Sequence, residues 1–213
     1  MKKYVLWDWN GTLLDDTEAA IETLNDMIAK HGGKKITRSF YRENFSFPVK
    51  PFYEKIGVVL EGEDWDSLAR EYHDIYASKE KQPAADAIAA VEKAKEKFAG
   101  QSILSALRQD LLERDSSIFG FKEKMDFVFG VDNLDGSSKA ERAAEALRTV
   151  KEKFGDCEFF LVGDSLHDAE VAKANGIECV LYSGGTHTGE RLSKAGRVVD
   201  SLSDAVSLIE EWR

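Results

Sequence analysis

The sequence predicts an α/β fold in which a Rossmann-like parallel sheet carries a small helical insertion. Three features of the 213-residue chain indicate this fold. A short apolar strand near the start ends in Asp8, Asn10 and Thr12. Residues 17–82 follow with helical periodicity and no strand alternation. From Pro83 onward, apolar strands alternate with amphipathic helices, which is typical of a parallel sheet covered on both faces.

This change of pattern divides the chain into two predicted domains. We expect a core domain made of residues 1–16 and 83–213 and a helical cap made of residues 17–82. The aromatic residues of the cap are expected to form a small core of their own. They are Phe40, Tyr41, Phe45, Phe47, Phe52 and Tyr53.

The core domain is predicted to contain five strands after the first. Each is a short apolar run that can be buried in a parallel sheet. They cover residues 102–105, 127–129, 159–162, 179–181 and 198–199. The clearest helix between them runs from Ser138 to Phe154, and Ser138 and Glu141 have the spacing of a capping box. A shorter helix is expected from Asp168 to Asn175.

The composition is that of an ordinary enzyme and excludes several other classes. A net charge of −10 and a pI near 5.0 do not favour binding to nucleic acid or to an anionic membrane. Two cysteines, Cys157 and Cys179, make no disulfide framework, and reduced thiols are typical of a cytoplasmic protein. The apolar run after Met1 is too short for a signal peptide or a membrane span.

Polar side chains follow several of the predicted strands, at the point where each strand ends. They are Asp8, Asn10 and Thr12 after the first strand, Ser105 after the second, and Asp164 with Asp168 after the fourth. Lys139 joins them from the start of a helix. In an open α/β sheet, ligands bind at the carboxyl ends of the strands. We therefore expect these groups to form one site.

This set of residues suits phosphoryl chemistry. Carboxylates on neighbouring strand ends offer the oxygen ligands that Mg²⁺ prefers, with a substrate phosphate and water completing the coordination. Ser105, Lys139 and the backbone N–H groups after Gly11 supply donors for phosphate oxygens. A carboxylate aimed at phosphorus can form an aspartyl-phosphate.

The sequence resembles the haloacid dehalogenase-like superfamily, most of whose members are phosphatases. The first motif of that family, Asp-x-Asp-Gly-Thr after a strand, reads Asp8-Trp9-Asn10-Gly11-Thr12 here. Ser105 and Lys139 match the second and third motifs, and Gly163-Asp164-Ser165-Leu166-His167-Asp168 matches the fourth. The family places a helical cap directly after the first motif, so the resemblance covers the whole chain. The phosphoglycolate phosphatase-like branch is the most similar.

The resemblance implies a role for each motif residue. Asp8 would be the nucleophile and a Mg²⁺ ligand, and Asn10 would offer its backbone carbonyl to the metal. Asp164 would bind the metal directly, and Asp168 would hold a metal-bound water or orient its neighbours. The phosphoryl oxygens would be bound by Gly11, Thr12, Ser105 and Lys139.

Asn10 departs from the family pattern, because the phosphatases usually carry Asp at this position. That Asp protonates the leaving oxygen and later deprotonates the attacking water. An amide cannot do either at neutral pH, and the loss could cost a factor of about 10² to 10⁴ in rate. Three interpretations follow: the enzyme acts slowly or on substrates with good leaving groups, another side chain replaces the acid and base, or Asn10 is an engineered change or a mark of altered chemistry. His167 is the nearest candidate replacement, although an exposed loop histidine is the simpler interpretation.

The function predicted from these observations is a Mg²⁺-dependent phosphatase for a small phosphorylated metabolite. One alternative is a dehalogenase in which Asp8 attacks carbon, and another is a phosphonate-cleaving relative that needs a cap lysine. A catalytically impaired protein that binds a phosphorylated ligand is a third. We expect a monomer or homodimer without nucleic-acid or membrane partners.

Several other residues have two interpretations. Arg42, Lys50 and Lys55 could meet a distal anion of the substrate. Arg108 could reach the substrate but is expected at the surface, and Gly184-Gly185-Thr186-His187 is expected to be a turn.

Overall fold

The computed structural model describes residues 1–58, 62, 64–132 and 138–212. Its main feature is a parallel sheet of six strands, which confirms the predicted fold class. Along the chain these strands are β1 (Lys2–Trp7), β4 (Gly100–Arg108), β5 (Val128–Val131), β6 (Cys157–Gly163), β7 (Glu178–Tyr182) and β8 (Arg197–Val199). They lie in the order β5-β4-β1-β6-β7-β8.

Helices cover both faces of the sheet. Those that follow residue 83 are α5 (Ala87–Lys97), α6 (Gln109–Ile118), α7 (Lys139–Phe154), α8 (Leu166–Asn175), α9 (Gly189–Leu192) and α10 (Leu202–Glu211), with a 3₁₀ turn at Lys122–Lys124. None of the helices in the described ranges is long and apolar enough to cross a membrane.

β1 is central because both of its faces are buried. Val5 and Trp7 pack with residues of α5, α6 and α10, whereas Tyr4 and Leu6 pack with α7 and α8. All four side chains are fully buried, which explains why this strand reads as a continuous apolar run rather than an alternating one. The strand ends at Trp7, so Asp8 stands at the carboxyl edge of the sheet.

A helical insert lies between two short strands that the sequence does not predict. β2 (Leu14–Asp15) and β3 (Gln82–Pro83) pair antiparallel, close to the predicted limits of the cap. Two-residue strands show no alternation, so periodicity cannot find them. Between them lie α1 (Thr17–His31), α2 (Arg38–Asn44), α3 (Lys50–Lys55) and α4 (Trp65–Ala77).

The insert has an apolar cluster of its own, as the aromatic residues predicted. Tyr41, Phe52 and Tyr53 are buried in it, and Phe40 and Phe45 pack against it. Phe47 was expected in the same core; its ring packs edge-on against Phe45 at 5.3 Å and also stacks on His167 of α8 at a centroid distance of 4.8 Å.

Two local predictions need correction. The strand predicted at residues 102–105 continues to Arg108, with a shift in the β4–β5 register beyond Leu104 that lets pairing resume at the strand end. Ser138 is the residue before α7, but its side chain accepts no capping hydrogen bond from that helix. The capping box is found at Ser165 and Asp168 of α8.

Hydrogen bonds fasten the insert to the loop after β7, and we call this set of contacts the latch. Arg42 Nη2 donates to the carbonyls of Ser183 at 2.5 Å and His187 at 2.8 Å. Leu166 N–H donates to His187 Nδ1 at 3.0 Å, so the proton of the neutral ring lies on Nε2. Nε2 then donates to the carbonyl of Phe45 at 2.9 Å.

His187 should make stability depend on pH. Burial, helped by the Arg191 guanidinium, lowers the pKa of His187 to about 4, whereas an unfolded histidine titrates near pH 6.5. The unfolded state therefore binds more protons between these values, and stability is lost as the pH falls from 7. Between pH 7 and pH 5 this group should contribute a loss of about 1 to 2 kcal/mol in the free energy of unfolding.

Urea unfolding of the native chain and His187→Gln at both pH values, with chelator present, measures this contribution. The variant should lose less stability on acidification, and Lys194→Gln at an exposed neighbouring position should behave like the native chain. An unchanged pH dependence in His187→Gln would contradict the buried neutral ring.

Candidate active site

The polar residues predicted from the strand ends meet at the carboxyl edge of the sheet. Asp8 follows β1, Ser105 lies near the end of β4, and Asp164 follows β6. Lys139 is the first residue of α7, and Asp168 lies in the first turn of α8. A cavity of about 150 Å³ opens above them, between the sheet and the helical insert.

A buried lysine joins two of the carboxylates. Lys139 Nζ lies 2.6 Å from Asp8 Oδ1 and 2.6 Å from Asp168 Oδ1. Burial opposes the charge of Lys139, but Asp168 and Asp8 outweigh it and raise the pKa of the amine. Burial raises the pKa of Asp8, Lys139 counteracts this, and Asp168 and Asp164 add to it.

Asp164 is the third carboxylate and is held from two directions. Thr186 N–H donates to its Oδ2 at 2.5 Å, and the Thr12 hydroxyl donates to its Oδ1 at 3.2 Å. Burial and the nearby Asp168 raise the pKa of Asp164 to about 7. The sequence predicted only a turn at Gly184–His187, so this contact shows that the turn also belongs to the site.

The three carboxylates form a group that fits a divalent cation. One oxygen from each of Asp8, Asp164 and Asp168 lies within 4.8 Å of the others, and all three residues are buried. Among the described residues, the ammonium of Lys139 is the one cation paired with this group, so carboxylates outnumber ammonium groups there. Buried charges are costly unless they are paired or bind a metal, and oxygen ligands suit Mg²⁺.

Asp168 has a structural task that fixes its orientation. Its Oδ2 accepts from the N–H of Ser165 at 3.0 Å and from the Ser165 hydroxyl at 2.6 Å. Its Oδ1 accepts from Lys139. The capping box at the start of α8 therefore aims Asp168 at Lys139, and Lys139 at Asp8.

Glycine is required where the two loops of the site touch. Gly11 has φ of +75°, and a Cβ added there would lie 2.0 Å from Asp164 Oδ2. A Cβ on Gly185 would lie 2.1 Å from the carbonyl oxygen of Gly11. The close packing of these loops holds Asp164 beside Thr12.

Asp16 is a site residue that sequence reasoning missed, since it was taken only as the start of a helix. Its Oδ2 accepts from Asn10 Nδ2 at 2.7 Å and from the Tyr76 hydroxyl at 2.5 Å. Its Oδ1 accepts from Gly11 N–H at 2.7 Å, and Asn10 Nδ2 also donates to Tyr76 at 3.0 Å. Burial raises the pKa of Asp16, against the effect of these three donors. An acidic residue beside the first motif was the available signal.

The predicted phosphoryl donors differ in their surroundings. Ser105 and Lys139 line the cavity, and the Ser105 hydroxyl accepts from the N–H of Leu107 at 3.1 Å. Thr12 is fully buried and donates to Asp164, while Gly11 N–H donates to Asp16. Their contacts with a phosphoryl group stay predictions.

His167 is not an exposed loop residue, because it lies in α8 and lines the cavity. Among the described residues its buried Nε2 has no hydrogen-bond partner, and burial followed by the Lys139 charge lowers its pKa. Its ring carries the stacked Phe47.

The cations considered for a distal anion are engaged or lie elsewhere. Arg42 belongs to the latch, and Lys55 Nζ donates to Asn44 at 2.7 Å. Lys50 is exposed and lies outside the cavity wall. Arg108 does line the cavity, but its guanidinium is paired with Asp110 at 2.5 and 2.7 Å.

Removing the buried ammonium should destabilise the protein. In Lys139→Met, the buried carboxylates of Asp8 and Asp168 lose the ammonium that joins them, and breaking a buried ion pair in this way costs about 3 to 5 kcal/mol. The free energy of unfolding, measured by urea denaturation at pH 7 with chelator, should fall by this amount. Lys153→Met on the same helix removes a half-exposed charge and should change it by less than about 1 kcal/mol. Equal losses in the two variants would contradict this account of the site.

Comparison with known proteins identifies relatives along almost the whole chain. PpaX, a candidate pyrophosphatase from Caldanaerobacter subterraneus subsp. tengcongensis, is 23% identical over 198 residues, covering 89% of this chain and 86% of PpaX. A predicted phosphatase from Clostridium acetobutylicum has the same fold, with a TM-score of 0.80, 19% identity and 99% of each chain covered. A candidate phosphoglycolate phosphatase from Lactobacillus delbrueckii subsp. bulgaricus has a TM-score of 0.76 at 16% identity, covering 98% of this chain and 99% of its own.

The motifs and the comparisons agree on the family. The profile of the haloacid dehalogenase-like hydrolases matches residues 5–182, which include the first motif, Ser105, Lys139 and the fourth motif. The resemblance drawn from those residues is confirmed: the chain belongs to the haloacid dehalogenase-like hydrolase family.

Proposed function

We propose that the chain is a Mg²⁺-dependent phosphatase that hydrolyses a small phosphorylated metabolite through an aspartyl-phosphate at Asp8. The observation that carries the proposal is the placement of Asp8, which faces the cavity while Lys139 and two further carboxylates surround it. The related PpaX is named for pyrophosphate hydrolysis, and the two structures of the same fold are named phosphatases.

In the first step, an Asp8 oxygen attacks phosphorus and the leaving oxygen departs with the electron pair of the broken bond. Lys139 and Ser105 line the cavity beside Asp8 and would bind the equatorial phosphoryl oxygens. Positioning and charge neutralisation carry most of phosphoryl transfer, and a preorganised buried ammonium supplies both.

Asp8, Asp164, Asp168 and the backbone carbonyl of Asn10 are the groups that would hold Mg²⁺. The ion, when bound, neutralises charge that the carboxylates and the phosphoryl group would otherwise share. The excess of carboxylates over ammonium groups in this cluster supports a cation there. Thr12 and Gly11 would contribute by keeping Asp164 and the first loop in place.

The helical insert would act as a cap over this site. The latch and the Tyr76–Asp16 hydrogen bond join it to the loops that carry the motifs. A closed cap excludes water from the phosphoryl group until the first step is complete. A cytoplasmic location and a monomeric or homodimeric state stay predictions.

Because residue 10 is Asn, three alternatives to a phosphatase have to be compared with the site. A dehalogenase also lacks an acid here, but it would have no use for the buried carboxylate cluster. A phosphonate-cleaving enzyme needs a cap lysine, whereas the helical insert contributes no lysine to the described cavity wall. A protein that only binds its phosphorylated ligand would not need Asp8 as a nucleophile.

The proposal is tested with acetyl phosphate, a small donor whose leaving carboxylate needs no proton. With Mg²⁺ the native chain should release phosphate and show the mass of one added phosphoryl group on Asp8, because Asn10 cannot assist the hydrolysis of the intermediate. Asp8→Asn should show neither, and chelator should abolish both. Asp204→Asn, an exposed carboxylate on α10, should retain the native rate.

Asn10→Asp should accelerate turnover of alkyl phosphates by about 10² to 10⁴, because it supplies the missing acid and base. Steady-state phosphate release with and without this change measures the effect. Phosphate release that is identical in the native chain and Asp8→Asn would overturn the phosphatase assignment, and halide release would then test the dehalogenase alternative.

A further inference from the structure

The wall of the cavity that faces Asp8 is unusual in its chemistry. The helical insert supplies it almost entirely with aromatic and aliphatic groups, and it contributes no lysine or arginine among the described residues. The rings that carry the argument are Tyr41, Phe45, Phe47, Tyr53, Trp65 and Tyr72. This is the part of the cavity that the leaving group of a substrate must occupy, since the phosphoryl group is taken up at the floor.

A second anion on the substrate would find no unpaired cation there. The guanidinium of Arg108 is occupied by Asp110, and Lys139 is occupied by Asp8 and Asp168. His73 and His167 are the remaining basic groups in the described wall, and Phe47 covers one face of the His167 ring. A carboxylate or second phosphate would therefore be desolvated without an unpaired lysine or arginine to compensate it.

The wall offers a fixed aromatic surface in a small space. The whole cavity measures about 150 Å³, and this volume includes the polar floor as well as the wall. Phe47 is stacked on His167 at 4.8 Å, and Trp65 packs edge-on against Tyr53 at 5.5 Å. Contacts within the protein therefore fix the orientation of these rings before a substrate binds.

The floor of the cavity imposes a second and independent condition. The Asn10 amide nitrogen donates to Asp16 at 2.7 Å and to Tyr76 at 3.0 Å, and an amide carries no proton that it can transfer. A phenol-type oxygen has a pKa of about 10, whereas an aliphatic hydroxyl is closer to water, at about 15.7. An aromatic oxygen can thus leave as an anion without a proton from residue 10.

We propose that the natural substrate is an aryl phosphate, a phosphate monoester of an aromatic hydroxyl whose ring sits in the wall of the insert. This inference rests on the proposed phosphatase function and names its substrate class. Asp8 attacks phosphorus, the bond from phosphorus to the aryl oxygen breaks, and the phenolate takes a proton from water. Water then attacks the phosphorus of the aspartyl-phosphate, which yields dihydrogen phosphate and restores the Asp8 carboxylate.

Three phosphate monoesters test the aromatic wall and the leaving-group requirement separately. Phenyl phosphate has the ring and a good leaving group, benzyl phosphate has the ring and an alcohol leaving group, and 2-phosphoglycolate has an anion in place of the ring. We expect kcat for phenyl phosphate to exceed that for benzyl phosphate by about 10² or more, while benzyl phosphate still competes with phenyl phosphate for the site. We expect 2-phosphoglycolate to be the poorest substrate and the weakest competitor.

The wall is tested with Phe47, which lies in a loop and not in the core of the insert. Phe47→Ala should raise KM for phenyl phosphate about tenfold, and Phe47→Leu should keep most of the affinity. Acetyl phosphate has no ring, so its turnover should fall less in Phe47→Ala than the turnover of phenyl phosphate. Ile118→Ala changes an exposed apolar residue outside the cavity and is the matched control. It should leave both KM for phenyl phosphate and the turnover of acetyl phosphate unchanged.

The outcomes distinguish this inference from the function beneath it. If acetyl phosphate does not phosphorylate Asp8, the phosphatase assignment fails. If acetyl phosphate is hydrolysed but 2-phosphoglycolate is preferred over phenyl phosphate, the phosphatase assignment stands and the aryl substrate is overturned. An unchanged KM for phenyl phosphate in Phe47→Ala would likewise overturn the role of the wall.

Discussion

The site depends on one buried ion-pair arrangement, in which Lys139 lies between Asp8 and Asp168. The two N–O distances of 2.6 Å place the ammonium where it compensates charge that the interior would otherwise not tolerate. Each member is held by a different element: Asp8 directly follows β1, α7 begins at Lys139, and the capping box of α8 fixes Asp168. The sheet order, which puts β1 beside both β4 and β6, brings these elements to one edge.

The second constraint is the network around Asp16, which ties the insert to the first motif. Asp16 binds the amide of Asn10, the backbone of Gly11 and the hydroxyl of Tyr76, so residues of both parts share one carboxylate. If the insert opened about the paired strands β2 and β3, the hydrogen bond from Tyr76 to Asp16 would break. Asp16 would keep its hydrogen bonds from Asn10 and Gly11. Closure of the cavity and the orientation of Asn10 are therefore coupled through the same group.

The sequence was informative where chemistry and periodicity coincide. Asp8 and Asp164 follow continuous apolar runs, and such runs predict buried parallel strands whose ends meet. Asp16 escaped notice because its position at a helix start is explained without any tertiary contact. The role of Thr186 was not predicted because glycine-rich turns are common, and only the three-dimensional structure shows that its N–H donates to Asp164. The paired strands β2 and β3 were not predicted because a strand of two residues shows no periodicity.

Specificity and chemistry in this cavity can be treated as one constraint. An enzyme that holds a proton donor over the leaving oxygen can accept many alcohols, and its cap then selects among them. In the proposed function the donor position here is the Asn10 amide, which donates to Asp16 and Tyr76, so the leaving group would have to be stable as an anion. Aromatic hydroxyls have that property because the ring delocalises the charge, and an aromatic ring is also what the wall around Phe47 and Trp65 can enclose. In the proposed function, the floor and the wall would therefore both favour an aromatic leaving group, although they belong to separate parts of the fold.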